Sequence, residues 1–372
     1  MKKVLFVATV ESHIIHFHVE HLKLFKDKGY EVHVAAKGLA KIEYCDKHFN
    51  IAFERNPLKL NNMKAYKQLK KIINENNYEI IHCHTPVGGV LTRLAARETR
   101  KKGTKIFYTA HGFHFYKGAP LINWLIYYPI ENWLSRYTDC LITINKEDYG
   151  IAKKNFKKCP QIELVNGVGV SKNKFTFDIS NQEKMQLRKE LNIKEDDFVI
   201  IYTAELSKRK NQSMAIKVLK QILDNGYSDV KVLLPGIDSM NGRYQALSKK
   251  LNVEKNIRFL GYRKDIPKLL NISDIAISTS KQEGLAVNIM EAMILGLPCI
   301  VTNCRGNRDL IEDQKDGYIC EIDDVNDMTQ KILNIKENKS KLNIFGAYAR
   351  KEIQPYLLDN IIPKLKRLYY NE

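Results

Sequence analysis

The stretch KQEGLAVNIMEAM, residues 281–293, places two glutamates, Glu283 and Glu291, eight positions apart with apolar residues between them. Carboxylates so placed can form a general acid–base pair, contact two parts of one elongated ligand, or be ordinary surface acids. A retaining glycosidase pair needs its carboxyls about 5 Å apart. A loop residue and one on the following helical turn do not suit that geometry. Spacing leaves the ligand clamp and the plain reading open, the latter with Glu283 capping a helix and Glu291 in solvent. Between them, Gly284 allows close backbone approach. Leu285, Ala286 and Val287 lead into a helix whose free N–H groups suit a phosphate.

A second group lies in TAELSKRKNQ (203–212). Lys208, Arg209 and Lys210 follow an apolar strand and precede Asn211, an N-cap candidate. Three cations at that position suit a diphosphate, and a solvated basic turn fits the same residues. A third is YTAHGFHF (108–115), where His111 and Gly112 follow a strand. All ten histidines fall within the first 114 residues. His82 and His84 alternate on one strand, which predicts a polar cleft wall. His13, His16, His18 and His21 lack the cysteine or carboxylate company of a metal motif, so no metal site is expected. In RGNRDLIEDQKDGYIC (305–320), Gly306 with Asp309 reads as a helix start and Asp316–Gly317 as a turn before a strand.

These groups need elements to hold them. KVLFVATV, EVHVAA, IIHCH, KIFYTAH and DCLITI read as strands of a first half, with periodic polar stretches between them. The pattern restarts after a poorly periodic segment, 171–193, with FVIIYTAE, DVKVLLPG, NIRFLG, DIAISTS and CIVTN. The expectation is an α/β chain of two doubly wound parallel sheets. Its predicted divisions are 1–175, 176–350 and a helical tail, 351–372. Ligands sit beyond the carboxyl ends of such strands, and the loops quoted above lie there, facing a cleft.

The 372 residues suit two domains. The formal charge of +18, from 60 Lys plus Arg against 42 Asp plus Glu, favours anionic partners. Seven cysteines without a CxxC fit free thiols in a reducing cytosol. The opening MKKVLFVATVES lacks the cleavage site of a signal peptide. No apolar run approaches the ~18 residues that span a bilayer.

The run 259–320, with its Glu-x7-Glu motif, small-residue helix and GLP stop, resembles the retaining glycosyltransferases of family 4. It is most similar to the bacterial capsule and exopolysaccharide branch. The first half resembles the family more loosely, through its first strand, His111–Gly112 and Asn166–Gly167. The resemblance implies a GT-B fold of two Rossmann-like domains, with the C-terminal helix packed back on the N-terminal one. It implies a UDP-linked donor, a sugar acceptor on undecaprenyl diphosphate, no cofactor and no metal. Glu283 and His111 would contact the donor sugar, and Lys210 the diphosphate. The N–H groups of 284–287 would hold sugar and distal phosphate, and Glu291 the ribose. Where the family carries Gly-Arg, this chain has Ala204–Glu205, leaving Lys208 or Arg209 to replace that arginine. In place of the family's Gly-Gly acceptor loop stands VESHIIHFH, with Ser12, His13 and His16 as acceptor-side candidates.

The stretch FHFYKGAPLINWLIYYPIENWL (113–134), with Lys59, Lys64, Lys67, Lys70 and Lys71 before it, suits an anionic membrane face, but reads first as a buried helix of the N-terminal sheet. The expected location is the cytoplasmic face of the membrane, peripherally bound. Two rival classes remain: a GT-B enzyme of another kind, such as an epimerase, and a basic nucleic-acid-binding protein. No nucleic-acid-binding motif is present, so nucleic acid is not an expected partner.

Overall fold

Apolar runs bounded by Gly, Asn and Asp turns become buried parallel strands in a computed structural model that describes residues 1–175 and 179–370. The first unit, Met1–Gly169 with Leu358–Glu372, holds seven strands. These are β1 (Lys3–Val10), β2 (Glu31–Lys37), β3 (Lys47–Asn50), β4 (Ile80–His84), β5 (Lys105–Ala110), β6 (Cys140–Thr143) and β7 (Gln161–Leu164). Their order is β3-β2-β1-β4-β5-β6-β7, with parallel pairing throughout. The second unit, Val170–Leu357, holds β8 (Phe198–Ile201), β9 (Val230–Pro235), β10 (Ile257–Gly261), β11 (Ile275–Ser278), β12 (Cys299–Thr302) and β13 (Gly317–Cys320). Their order is β10-β9-β8-β11-β12-β13, also parallel. In each sheet the order reverses beside the first strand of the unit, which opens a crevice at the carboxyl ends.

The chain divides at 169/170 and 357/358, against the expected 175/176 and 350/351. The reason is local. Val170 and Leu357 form a parallel bridge, and Val170 N–H donates to Tyr356 O at 3.1 Å, so the entering and leaving segments are tied together. The tail helix Leu358–Tyr370 is part of the first unit. It buries Ile361, Leu365 and Tyr369 in the core beside Phe25 and Val32. Tyr369 Oη meets His82 Nδ1 at 2.6 Å.

Two strands escape a reading of hydrophobic pattern. KHFN (β3) and QIEL (β7) are edge strands with little apolar alternation. FVIIYTAE reads as one strand through Glu205, yet β8 ends at Ile201. Beyond it the chain turns so that Ala204 O comes against Gly236, where a Cβ would lie 1.9 Å from that oxygen. Only glycine admits that approach.

Candidate functional site

In the second unit the loops after β8 and β11 meet over one buried carboxylate. Glu283 is 5% exposed. Lys210 Nζ donates to its Oε1 at 2.5 Å, and Ser280 Oγ donates to the same oxygen at 2.6 Å. Arg209 Nη1 donates to Glu283 Oε2 at 3.1 Å and to Gln282 O at 3.0 Å. Burial works to raise the Glu283 carboxyl, but the Lys210 ammonium and Arg209 guanidinium outweigh it and hold it below the usual carboxylate range. The loop is fixed from beneath. Tyr202 Oη lies 2.8 Å from Ser280 Oγ and donates to Lys210 O at 2.8 Å. Thr279 Oγ1 donates to the carbonyls of Lys210 and Asn211. Thr302 Oγ1 donates to Ser280 O.

Both plain readings of the glutamates are corrected here. Glu283 caps no helix: the cap position of helix Val287–Leu295 is Ala286, which has no side-chain cap bond. Ala286 offers the helix no side-chain cap, and the helix head carries partial positive charge. Glu291, one turn into the helix, is not solvated but half-buried. Burial pushes its carboxyl up to about 7, with Lys174 acting weakly in the other direction. Leu285 and Ala286 are buried, while Gly284 and Val287 are half-buried. Arg305 Nε donates to Glu283 O at 3.1 Å. Gly306 lies so close that a Cβ there would meet Gly284 C and O at 2.8 Å.

The three cations separate. Arg209 and Lys210 join Glu283, whereas Lys208 lines a different hollow of about 710 Å³ with Asn211, Lys217, Arg243, Tyr244 and Lys281. Glu205 is exposed and accepts a bond from Ser239 Oγ. Asn211 stands at the cap position of helix Gln212–Asp224 but does not cap it. It adopts the left-handed conformation (φ 56°), and its Nδ2 donates to Asp323 Oδ1 at 2.9 Å.

In the first unit four histidines converge at the carboxyl ends of β1, β4 and β5. His13 Nε2 is 3.1 Å from His111 Nε2 and 3.3 Å from His18 Nε2, and His84 Nδ1 is 3.3 Å from His111 Nε2. His18 and His84 are buried, with ring centroids 3.8 Å apart. Burial, then the neighbouring imidazoles, lowers these rings, His13 to about 4 and the other three well below their ordinary value. The polar cleft wall expected at His82 and His84 is instead interior. His82 is buried between Thr109 Oγ1 (2.8 Å) and Tyr369 Oη. Ser12 and His16 are exposed, and His16 Nδ1 bonds Ser12 O rather than the cluster. Next to His84, Thr85 is held at φ 64° by contacts to Thr9, a conformation costly for a β-branched residue.

Comparison with known proteins identifies the family. A family model described as glycosyl transferases group 1 matches residues 183–352, and one described as glycosyl transferase 4-like matches 3–145. The glycosyltransferase-family protein EpsD of Bacillus subtilis (strain 168) is 42% identical over 94% of this chain and 91% of its own length. The chain belongs to glycosyltransferase family 4. The UDP-Gal:alpha-D-GlcNAc-diphosphoundecaprenol alpha-1,3-galactosyltransferase of Escherichia coli is 28% identical over 94% of this chain and 92% of that protein. Among solved structures, Anabaena HepE in complex with UDP and glucose superposes with a TM-score of 0.81 at 18% identity, covering both chains fully. That likeness identifies the fold as GT-B. The family-4 relation makes the chain a glycosyltransferase.

Proposed function

We propose that the chain moves a hexose or N-acetylhexosamine from a UDP-sugar to a saccharide on undecaprenyl diphosphate, with retention at the anomeric carbon and no metal on the donor diphosphate. The observation that carries this reading is the buried Glu283 carboxylate clasped by Lys210 and Arg209 at the strand ends of a Rossmann-like sheet. Two cations on one carboxylate form a charge arrangement poised for a diphosphate, and Glu283 keeps hydrogen-bonding capacity for sugar hydroxyls. Arg209, not Lys208, takes the place of the missing arginine in this reading. The 284–287 backbone holds the sugar and distal phosphate, and Glu291 accepts from the ribose hydroxyls. His111 is the donor-sugar histidine. Ser12, His13 and His16 are the acceptor-side candidates, with Ser12 and His16 the accessible ones.

In the transfer, the bond from the anomeric carbon to the diphosphate oxygen breaks and a bond to the acceptor oxygen forms. The acceptor proton passes to the departing phosphate, and Lys210 and Arg209 stabilise the developing charge. The galactosyltransferase activity of the E. coli relative, from a UDP-sugar to a diphosphoundecaprenol-linked sugar, supports the donor and acceptor classes.

A membrane-facing role is part of the same reading. No helix among the described residues is long and apolar enough to cross a membrane. Helix Leu121–Leu134, however, turns Leu121 (80% exposed), Leu125 (73%), Ile122, Ile126, Ile130 and Trp133 outward. An exposed apolar strip of this size marks an interaction surface, and it suits a bilayer bearing the lipid-linked acceptor.

The test is a radiolabelled transfer assay with UDP-sugars and undecaprenyl-diphosphate-linked acceptors, run beside liposome sedimentation. Acceptor-dependent UDP release and labelled lipid are expected, with turnover severely reduced in K210A. Near-normal turnover in K210A sinks the assignment of Lys210. UDP release without acceptor points instead to an epimerase-type enzyme. Unchanged liposome binding in L125E removes the membrane role.

A further inference from the structure

The four-histidine cluster cannot be satisfied by hydrogen bonds among neutral rings. Each imidazole nitrogen carries either one in-plane hydrogen or one in-plane lone pair, never both. His13 Nε2 touches both His18 and His111, and His111 Nε2 touches both His13 and His84. A chain of four such atoms with three contacts can make at most two hydrogen bonds, His18 with His13 and His111 with His84. The closest contact, 3.1 Å between His13 and His111, is then left unpaired. Protonating the rings is no remedy, because burial disfavours the charge and the group contains no carboxylate.

The spacing fits a different occupant. One ring nitrogen from each of the four histidines lies within 4.8 Å of those of the others. A tetrahedral ion with metal–nitrogen bonds of about 2.0–2.1 Å sets its ligand nitrogens about 3.3–3.4 Å apart. The three closest contacts, 3.1, 3.3 and 3.3 Å, are near that edge length. The other ring nitrogen of His18 is already engaged, 2.7 Å from His21 Nδ1. Ligand histidines are commonly oriented by such a partner. The strained Thr85 holds the end of β4 where His84 enters the cluster.

We propose that His13, His18, His84 and His111 bind one divalent transition ion of the zinc class, with His13 Nε2, His18 Nε2, His84 Nδ1 and His111 Nε2 as ligands. With the ion bound, the rings of His18 and His84, stacked at 26° in this structure, turn out of stacking so that all four nitrogens present lone pairs to it. Imidazole-only sets suit zinc, copper, nickel or cobalt rather than magnesium or calcium. The ion ties the helix Glu11–Phe17 and His18 to the ends of β4 and β5. Resting on the function proposed above, it also fixes His111 as the Nδ1–H tautomer, a hydrogen-bond donor of defined position. The diphosphate chemistry remains with Lys210 and Arg209, in the other unit.

The experiment uses the full chain, purified without a histidine tag and stripped with chelator. It is titrated with Co2+ and followed by visible absorption, then back-titrated with Zn2+. Expected are one ion per chain, the strong bands of four-coordinate Co2+, their displacement by Zn2+, and a rise in Tm on adding Zn2+. H84Q and H18Q should each weaken binding at least tenfold, while H16Q, an exposed neighbour, should leave it unchanged. A six-coordinate spectrum, less than stoichiometric binding, or equal binding in H84Q and wild type overturns the proposal. Should H84Q and H18Q fail to fold, the wild-type spectrum and Tm decide: no four-coordinate bands and no Zn2+-dependent rise overturn it. These readouts do not involve transferase activity, so failure here is separable from failure of the proposed function.

Discussion

The half-buried Glu291 gives a quantitative expectation for donor binding. Its carboxyl sits at about 7 because burial disfavours the charge. If it accepts hydrogen bonds from ribose hydroxyls, only the ionised form binds productively. The ionised fraction is about one in eleven at pH 6 and about ten in eleven at pH 8, so donor affinity should rise about tenfold, about 1.4 kcal/mol, across that range. Isothermal titration should use an intact UDP-sugar, since the terminal phosphate of free UDP titrates in the same range. E291Q should bind more weakly at pH 8 and show no such step. Stability carries the opposite sign. A raised carboxyl means the folded chain holds a proton that the unfolded chain has released between about 4.3 and 7. Glu291 therefore favours the folded chain at low pH, and that contribution is lost as pH rises through about 7. E291Q should raise the Tm of the free protein at pH 8 and change it little at pH 4. A flat affinity profile in wild type, or the same step in E291Q, refutes the ribose role.

Other substitutions follow from particular contacts. K210A leaves the buried Glu283 carboxylate with Arg209 and Ser280, and should cost about 3 kcal/mol by denaturant unfolding, the low end for breaking a buried pair. K210A/E283A should cost less than the sum of the single changes. Because the Glu283 carboxyl is held low, the K210A penalty should be full above about pH 4.3 and shrink as pH falls below it. G306A drives a Cβ against the Gly284 backbone, and should weaken donor binding at least tenfold while the chain stays folded by circular dichroism. R93M removes the fully buried partner of Glu131, 2.8 Å away, and should destabilise by about 3–5 kcal/mol.

Much of the fold was legible because the strands are uniformly apolar and punctuated by Gly, Asn and Asp. The site after β11 was legible for a related reason: Gly284, the helix head and the paired glutamates lie within one short run. Other parts depend on residues far apart in sequence. The ion pair between Lys210 and Glu283 joins positions 73 apart, and no local pattern announces it. The same holds for Arg93 with Glu131, and for Tyr202 beneath Ser280. The histidine cluster shows this most clearly. His13 and His18 on their own lack the company of a metal motif, so local spacing does not announce the cluster. Parallel pairing of β1 with β4 and of β4 with β5 is what brings His84 and His111 to them. The stretch around helix Leu121–Leu134 reads first as buried, yet one face carrying Leu121 and Leu125 is exposed while Glu131 on the other pairs with buried Arg93.

The proposed function requires that the β8 and β11 loops hold a nucleoside-diphosphate sugar. Titration of wild type, K210A and E291Q with UDP-sugars at pH 8 tests it most directly. One site is expected in wild type with Kd in the range of about 1 μM to 1 mM, and at least tenfold weaker binding in each variant. No binding of any UDP-sugar by wild type, or equal affinity in all three proteins, would contradict it.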